Sequence, residues 1–145
     1  MLPALASHTR TRKSKPLLFT ATCATGLEQL VSEEIAACGG QHIQVKPGAV
    51  NWSGSNLESG YRACLWSRFA SRILLELARF DAPDTDALYE HSAKVLWDEH
   101  LSVKKTFAVH STLINAAIPH SQFAALRVKD AIADRFRYKF GERPN

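Results

Sequence analysis

The chain has 145 residues, of which 46% are hydrophobic and 22% are charged, and its formal net charge is +4. This length and composition are typical of one globular domain or two small ones, and no apolar run of about 18 residues is present that could span a membrane. The three cysteines are odd in number and lack CxxC spacing, so they predict reduced, buried thiols in a cytoplasmic protein.

Basic and acidic residues are unevenly distributed along the chain. Residues 1–16 carry four basic residues and no acidic one, which accounts for the whole net charge and predicts a disordered basic arm. Residues 17–103 carry six basic and eleven acidic residues, whereas residues 104–145 carry eight and three. This surplus near the carboxyl end favours an anionic partner, and nucleic acid is the obvious candidate because its phosphates attract cations.

The first elements are a strand, a helix and a hairpin. Residues 17–22 form a short apolar run that predicts a strand. A capping box at residues 25–28 opens a helix that ends at two consecutive glycines. Residues 43–53 then alternate apolar and polar side chains on either side of a Pro-Gly pair, which predicts a hairpin with a type II turn.

A second helix and a fourth strand follow. Residues 55–58 are another capping-box pattern, and residues 73–77 alternate as a strand does. The helix between them is predicted to bury the apolar residues that recur at helical spacing, namely Leu57, Tyr61, Cys64, Leu65 and Phe69. The order β-α-β-β-α-β predicts an α+β, ferredoxin-like unit that is complete by about residue 80.

A run that contains Trp66, Arg68, Phe69 and Arg72 lies at the end of this second helix. In the structural interpretation, which we favour, the aromatic rings are core and the arginines pair with acids such as Glu76. In the alternative, the arginines contact RNA beside exposed aromatic surface.

A polar, proline-containing break at residues 81–86 is the predicted domain boundary. We therefore expect a ferredoxin-like subdomain over residues 17–81 and a second unit over residues 86–145. In the second unit the patterns predict helices at residues 87–96 and 97–101, and a strand at 106–112. A lone strand leaves both of its edges unpaired, so we expect that further strands follow in a longer protein, unless it joins the first sheet.

The last predicted helix runs over residues 122–140 and ends at Gly141. Lys129 falls within its apolar stripe, where a cation must reach water or meet an anion. The stripe is Ala125, Val128, Ile132, Phe136 and Phe140, and the adjoining basic stripe is Arg127, Arg135 and Lys139. Ser121 and Gln122 open the helix, where they cap it, contact phosphate or do both.

Several runs resemble the N-terminal region of bacterial methyltransferases of the RlmL/RlmKL type, which modify guanine N2 of large-subunit ribosomal RNA. The matching runs are residues 22–28 (TCATGLE), 65–73 (LWSRFASRI), 106–110 (TFAVH), 121–122 (SQ), 128–132 (VKDAI) and 143–145 (RPN). The resemblance implies a ferredoxin-like subdomain followed by an RNA-binding THUMP domain, here truncated at its C-terminal end as an incomplete α/β unit.

The resemblance implies S-adenosylmethionine-dependent methyl transfer in the parent protein. The seven glycines include no GxGxG-like cluster, and there is neither an Asn/Asp-Pro-Pro-aromatic loop nor HExxH spacing. We therefore expect no catalytic residue, metal ligand or cofactor site in this chain.

Ribosomal RNA and the C-terminal methyltransferase domains of the same parent chain are the expected partners. The expected RNA contacts are Lys104, Lys105, Ser121, Gln122, Arg127, Lys129, Arg135, Arg137 and Lys139. Two alternatives remain open: a ferredoxin-like docking or regulatory domain without RNA contact, and a THUMP module of an enzyme that thiolates transfer RNA.

Overall fold

The computed structural model of the protein describes residues 15–114, 118 and 120–144. The chain divides into two compact units between Glu76 and Leu77. The predicted basic arm lies outside the described residues except for Lys15 and Pro16, and so does Asn145.

The first unit has the predicted β-α-β-β-α-β order. Its elements are β1 (Leu17–Thr22), α1 (Glu28–Ala37), β2 (Gln41–Lys46), β3 (Ala49–Gly54), α2 (Glu58–Trp66) and β4 (Arg72–Leu75). The strands pair in the order β2-β3-β1-β4, and all three pairings are antiparallel. The ferredoxin-like prediction for this unit is confirmed.

The core of the first unit lies between the helices and one face of the sheet. Phe19 of β1 lies opposite Trp52 of β3, and their rings stack with centroids 5.2 Å apart. Val31 and Ile35 of α1 are fully buried in the same cluster. Removal of these large apolar side chains from water is the main stabilising contribution expected for a unit of this size.

The capping box predicted at residues 25–28 is wrong. Leu27 is the N-cap of α1 and makes no side-chain cap bond. The Glu28 carboxylate instead accepts from the backbone N–H of Gly26 (2.7 Å) and from that of Gly48 (2.8 Å) in the β2–β3 turn. The hydrogen bond from Gly48 is the largest contribution that lowers the pKa of Glu28. The carboxylate therefore ties the start of α1 to a turn twenty residues away.

Two further predictions, for the start and for the buried face of α2, are wrong. Asn56, not Ser55, accepts from the backbone N–H of Glu58 (2.9 Å), so the second capping box is also wrong. The helix buries its small residues Ser59, Gly60 and Ala63. The residues predicted to face inward are mostly outside: Leu57 is 42%, Tyr61 64% and Leu65 78% exposed, Cys64 is also exposed, and Phe69 is half-buried.

The second unit contains α3 (Thr85–Lys94), a 3₁₀ turn (Trp97–Glu99) and α4 (Ser121–Phe140). Asp84 caps α3 by accepting from the backbone N–H groups of Asp86 (3.0 Å) and Ala87 (2.8 Å). The helices α3 and α4 pack together, and the indole N–H of Trp97 donates to the Ser92 carbonyl (2.7 Å). The buried apolar residues of the unit are Ile118, Ala124, Ala131, Ile132 and Phe136.

The strand predicted at residues 106–112 does not form. This segment has no ladder partner among the described residues, and a strand is defined by its pairing. The predicted alternation is nevertheless present, because Phe107 and Val109 are half-buried whereas Ala108 and His110 are exposed. The periodicity identified the inward face of the segment but could not supply a neighbouring strand.

The cysteines are free thiols in different environments. Cys38 is buried, Cys23 is half-buried, and Cys64 is exposed, so the prediction of buried thiols is wrong for Cys64. Burial is the largest contribution that raises the pKa of Cys38, and the neighbouring Glu34 carboxylate adds to it. In the part of the chain that the structure describes, no helix is long and apolar enough to cross a membrane.

Candidate nucleic-acid interface

The rotation of α4 determines which of its cations face solvent. Ala124, Ala131, Ile132 and Phe136 are buried, and Arg135 lies among them because about three helical turns separate it from Ala124. Lys129 is exposed. Arg135 is thus a half-buried cation on the packed face of α4, whereas Lys129, predicted within the apolar stripe where a cation must reach water or meet an anion, reaches solvent.

Arg135 is held by two acceptors. Its Nη2 lies 3.2 Å from Oδ1 of Asp98, and its Nη1 donates to the Ala93 carbonyl (3.1 Å). Lys139 bonds the other oxygen of the same carboxylate. The bond from Lys139 is the largest contribution to the lowered pKa of Asp98, and Arg135 adds to it against the opposing effect of burial. These contacts fasten the 3₁₀ turn to α4.

Arg127 and Arg137 belong to a second network between α3 and α4. Arg127 pairs with Asp86 (2.9 Å) and lies 4.6 Å from the centroid of the Tyr89 ring. The Tyr89 hydroxyl donates to Asp134 (2.8 Å), which also pairs with Arg137 (2.9 Å). The hydrogen bond to Asp134 is the largest contribution that raises the pKa of Tyr89.

Lys104, Lys105 and Lys129 are exposed, and no ion pair to them is found within the described residues. Lys104 and Lys105 lie in a turn in which the Lys105 N–H donates to the Ser102 carbonyl (3.0 Å). These three lysines are the members of the expected RNA-contact set whose ammonium groups point to solvent without a carboxylate partner.

Ser121 and Gln122 are exposed at the start of α4. The N-cap of the helix is His120, and no side chain forms a cap bond, so the prediction that Ser121 or Gln122 caps the helix is wrong. The Ser111 hydroxyl donates to the Ser121 carbonyl, which ties the segment after residue 106 to this helix end.

The charge asymmetry of the sequence is largely cancelled within the second unit. From Leu77 to Asn145 the chain contains ten basic and nine acidic residues. The acids that precede residue 104 fold against α4, where Asp86 and Asp98 meet three of its cations. The surplus of basic residues counted over residues 104–145 is therefore not a surplus of positive charge in the folded unit.

Trp66 differs from the favoured structural interpretation, whereas Phe69 and Arg68 agree with it in packing on the core and in pairing with an acid. The Trp66 side chain is 73% exposed, whereas Phe69 is half-buried against the core of the first unit. Arg68 lies 3.6 Å from Glu34 and 5.7 Å from the Phe69 ring centroid. The small residues on the opposite side of α2 were the sequence signal that could have predicted this orientation.

Within the described residues, no group of three or more His, Cys, Asp or Glu side chains could hold a metal ion. No buried side-chain nitrogen or oxygen among the described residues lacks a hydrogen-bond partner.

Two family models match the chain in succession. The RlmL ferredoxin-like domain matches residues 18–74, and the THUMP domain matches residues 82–145. Among solved structures, a predicted N6-adenine-specific DNA methylase from Listeria monocytogenes is 30% identical, with a TM-score of 0.79 over 88% of this chain and 33% of that one. A protein described as a methyltransferase and solved with SAH is 25% identical, with a TM-score of 0.80 over 91% of this chain and 36% of that one.

Curated relatives carry a more specific name. The ribosomal RNA large subunit methyltransferase K/L of Desulfotalea psychrophila is 52% identical over 88% of this chain, and that of Syntrophotalea carbinolica is 45% identical over 90%. The chain spans 18% of the length of each. With its ferredoxin-like and THUMP domains in this order, the chain belongs to the RlmL/RlmKL-type family of ribosomal RNA large subunit methyltransferases.

Proposed function

We propose that this chain is the RNA-binding targeting region of an S-adenosylmethionine-dependent methyltransferase that modifies guanine N2 of 23S ribosomal RNA in the cytoplasm. The observation that carries the proposal is that a THUMP domain directly follows an RlmL ferredoxin-like domain in this chain, whose curated relatives are named as ribosomal RNA methyltransferases. Methyl transfer and S-adenosylmethionine binding would belong to methyltransferase domains outside these 145 residues, which would also be the partner of this region.

Lys104, Lys105 and Lys129 are the principal phosphate contacts in this proposal. Each is exposed and has no ion pair within the described residues, so binding a phosphate does not require an internal pair to break. Structured RNA is recognised largely through its shape and phosphates, which suits a small set of exposed cations.

The other members of the expected contact set have secondary roles in this proposal. The side chains of Arg137 (57% exposed) and Lys139 (49%) can exchange a carboxylate for a phosphate, and Ser121 and Gln122 offer polar groups at the exposed helix start. Arg127 (27%) and Arg135 (23%) act mainly by fixing α4.

The salt dependence of RNA binding tests the proposal. The affinity for in vitro transcribed 23S ribosomal RNA is measured against salt concentration for the wild type and for a Lys104→Ala, Lys105→Ala, Lys129→Ala variant. Loss of three phosphate contacts should reduce the slope of log K against log salt by about 2 to 3. The matched control replaces Lys15, Lys46 and Lys94, which are also exposed, and removes the same charge.

The outcomes separate the alternatives. An equal slope for the wild type and the lysine variant removes these residues from the interface. Absence of RNA binding by the wild type would favour a docking or regulatory domain. Tighter binding of transfer RNA transcripts than of ribosomal RNA would favour a THUMP module of a transfer-RNA-modifying enzyme.

A further inference from the structure

A groove lies between α1 and α2 in the first unit. Its volume is about 610 Å³, and its lining residues are Glu34, Ala37, Cys38, Arg62, Trp66 and Arg68. This volume lies within the range of small-molecule sites, about 300–1,000 Å³. The groove is remote in sequence from the lysines of the proposed RNA contacts.

The groove presents an aromatic ring to solvent. Trp66 is the last residue of α2 and is 73% exposed, because α2 buries the small residues Ser59, Gly60 and Ala63 against the sheet. Trp52 is 2% exposed and already fills the core of this unit together with Phe19. Packing of the unit therefore leaves the Trp66 ring available to a planar ligand.

Glu34 fixes the turn that follows Trp66. Its carboxylate accepts from the Ser67 hydroxyl (2.7 Å) and from the backbone N–H groups of Arg68 (3.1 Å) and Phe69 (3.4 Å). Burial raises the pKa of Glu34, but these hydrogen bonds and the Arg68 charge outweigh it, so the pKa lies below its usual value. The Glu34 carboxylate is thus already hydrogen-bonded within the turn, and the Glu34 side chain is only 14% exposed.

Cations dominate the open side of the groove. The Arg68 side chain is 81% exposed and lies 3.6 Å from Glu34. Arg62 is 55% exposed and pairs with Glu58 on the surface of the same helix, a kind of pair that contributes little to stability and exchanges readily. Two exposed guanidinium groups beside one exposed indole suit a ligand with a planar aromatic part and negative charge.

We propose that this groove binds an unpaired nucleotide of single-stranded RNA, with its base stacked on Trp66 and its flanking phosphates paired with Arg62 and Arg68. Unpaired bases are bound by stacking on aromatic rings and guanidinium planes, and the backbone is bound by cations. The inference rests on the proposed RNA-binding function and adds a second contact region, in the ferredoxin-like unit. The apolar surface of a protein partner could cover the Trp66 ring, but it would not explain why two arginines lie beside that ring.

Tryptophan fluorescence tests the proposal, with an unstructured single-stranded RNA oligonucleotide as the probe. The wild type should show quenching on titration, because Trp66 is exposed whereas Trp52 is buried and Trp97 is half-buried. Trp66→Ala should abolish most of this quenching and weaken binding roughly 5- to 150-fold, the loss of one base–aromatic stack. Trp66→Phe should retain part of the affinity, and Arg68→Gln should reduce the salt slope.

The matched control is Leu65→Ala, since Leu65 is 78% exposed on the same helix but does not line the groove. It should bind the oligonucleotide as the wild type does, and circular dichroism should show that all variants are folded. Equal affinities of Trp66→Ala and the wild type would overturn the proposed nucleotide site in the groove. They would leave the proposed RNA contacts of Lys104, Lys105 and Lys129 untouched. Shielding of Trp66 from acrylamide that increases with protein concentration without RNA would indicate a protein contact and overturn the proposal.

Discussion

Arg135 is a half-buried cation on the packed side of α4, among the buried residues Ala131, Ile132 and Phe136. A buried or half-buried charge is tolerated when its donors are satisfied, and Asp98 together with the Ala93 carbonyl supplies the acceptors. Lys129 has no such environment and points to solvent. The two residues therefore have opposite roles: Arg135 stabilises the fold, and Lys129 is available to a partner.

Substitution of Arg135 tests this division. Arg135→Met keeps the apolar stem but removes the bonds to Asp98 and Ala93, so we expect a lower midpoint of urea unfolding. Arg137→Met is the matched control on the same helix, because its pair with Asp134 is exposed on both sides and should contribute little. Equal midpoints for the two variants would contradict the structural role of Arg135.

Glu34 predicts a dependence of stability on pH. Its pKa is lower in the folded protein than the unfolded value of about 4.3, so its stabilisation is fully present above that value and is lost as pH falls through the folded pKa. We expect Glu34→Gln to be less stable than the wild type at pH 7, with a difference that shrinks below about pH 4. The adjacent, exposed Glu33→Gln is the control, and urea unfolding between pH 7 and 3 is the measurement.

At the scale of elements, α2 shows how small residues can determine the orientation of a helix. A Cβ atom at Gly60 would lie 2.5 Å from Cε1 of Phe19, so only glycine allows α2 to approach β1 this closely. The larger residues Tyr61 and Leu65 are consequently exposed. Apolar spacing predicted the opposite rotation, because it assigns the inward face by hydrophobicity and takes no account of the distance between the helix and the sheet.

Gly60→Ala measures this constraint. Overpacking typically costs about 1–3 kcal/mol, whereas alanine gains about 1 kcal/mol of helix propensity over glycine. Because the Phe19 ring is held by its stack on Trp52, we expect a net loss of stability in urea unfolding. Cys64→Ala, on the exposed side of α2, is the control and should be at least as stable as the wild type. A stabilised Gly60→Ala variant would show that the ring moves freely.

The sequence predicted the C-terminal end of α4 correctly but failed to predict the N-terminal caps of the helices. Gly141 was correctly predicted to end α4, and it adopts the left-handed conformation with φ +75°. Both predicted capping boxes failed, and the cap formed by Asp84 was missed within the polar break. Several residues in each of these segments can accept a hydrogen bond, and tertiary contacts such as that from Gly48 to Glu28 decide between them.

At the scale of the whole molecule, electrostatics depends on folding. The four cations of residues 1–16 equal the entire formal charge, so the remaining chain is neutral. Within the second unit, cations and acids that are 37 to 41 residues apart in sequence meet in ion pairs. The cationic surface of the second unit is thus smaller than the linear count indicates, and Lys104, Lys105 and Lys129 are among its exposed cations without an ion pair in the described residues.

The sequence by itself determined the order of elements in the ferredoxin-like unit, the succession of two units and the family resemblance, because these follow from local periodicity and from short contiguous motifs. Only the tertiary structure decided which cations of α4 are paired, which side of α2 faces solvent and where Glu28 and Glu34 find their donors. These outcomes depend on distances of a few ångströms between residues that are far apart in the chain, and such distances exist only once the helices have packed.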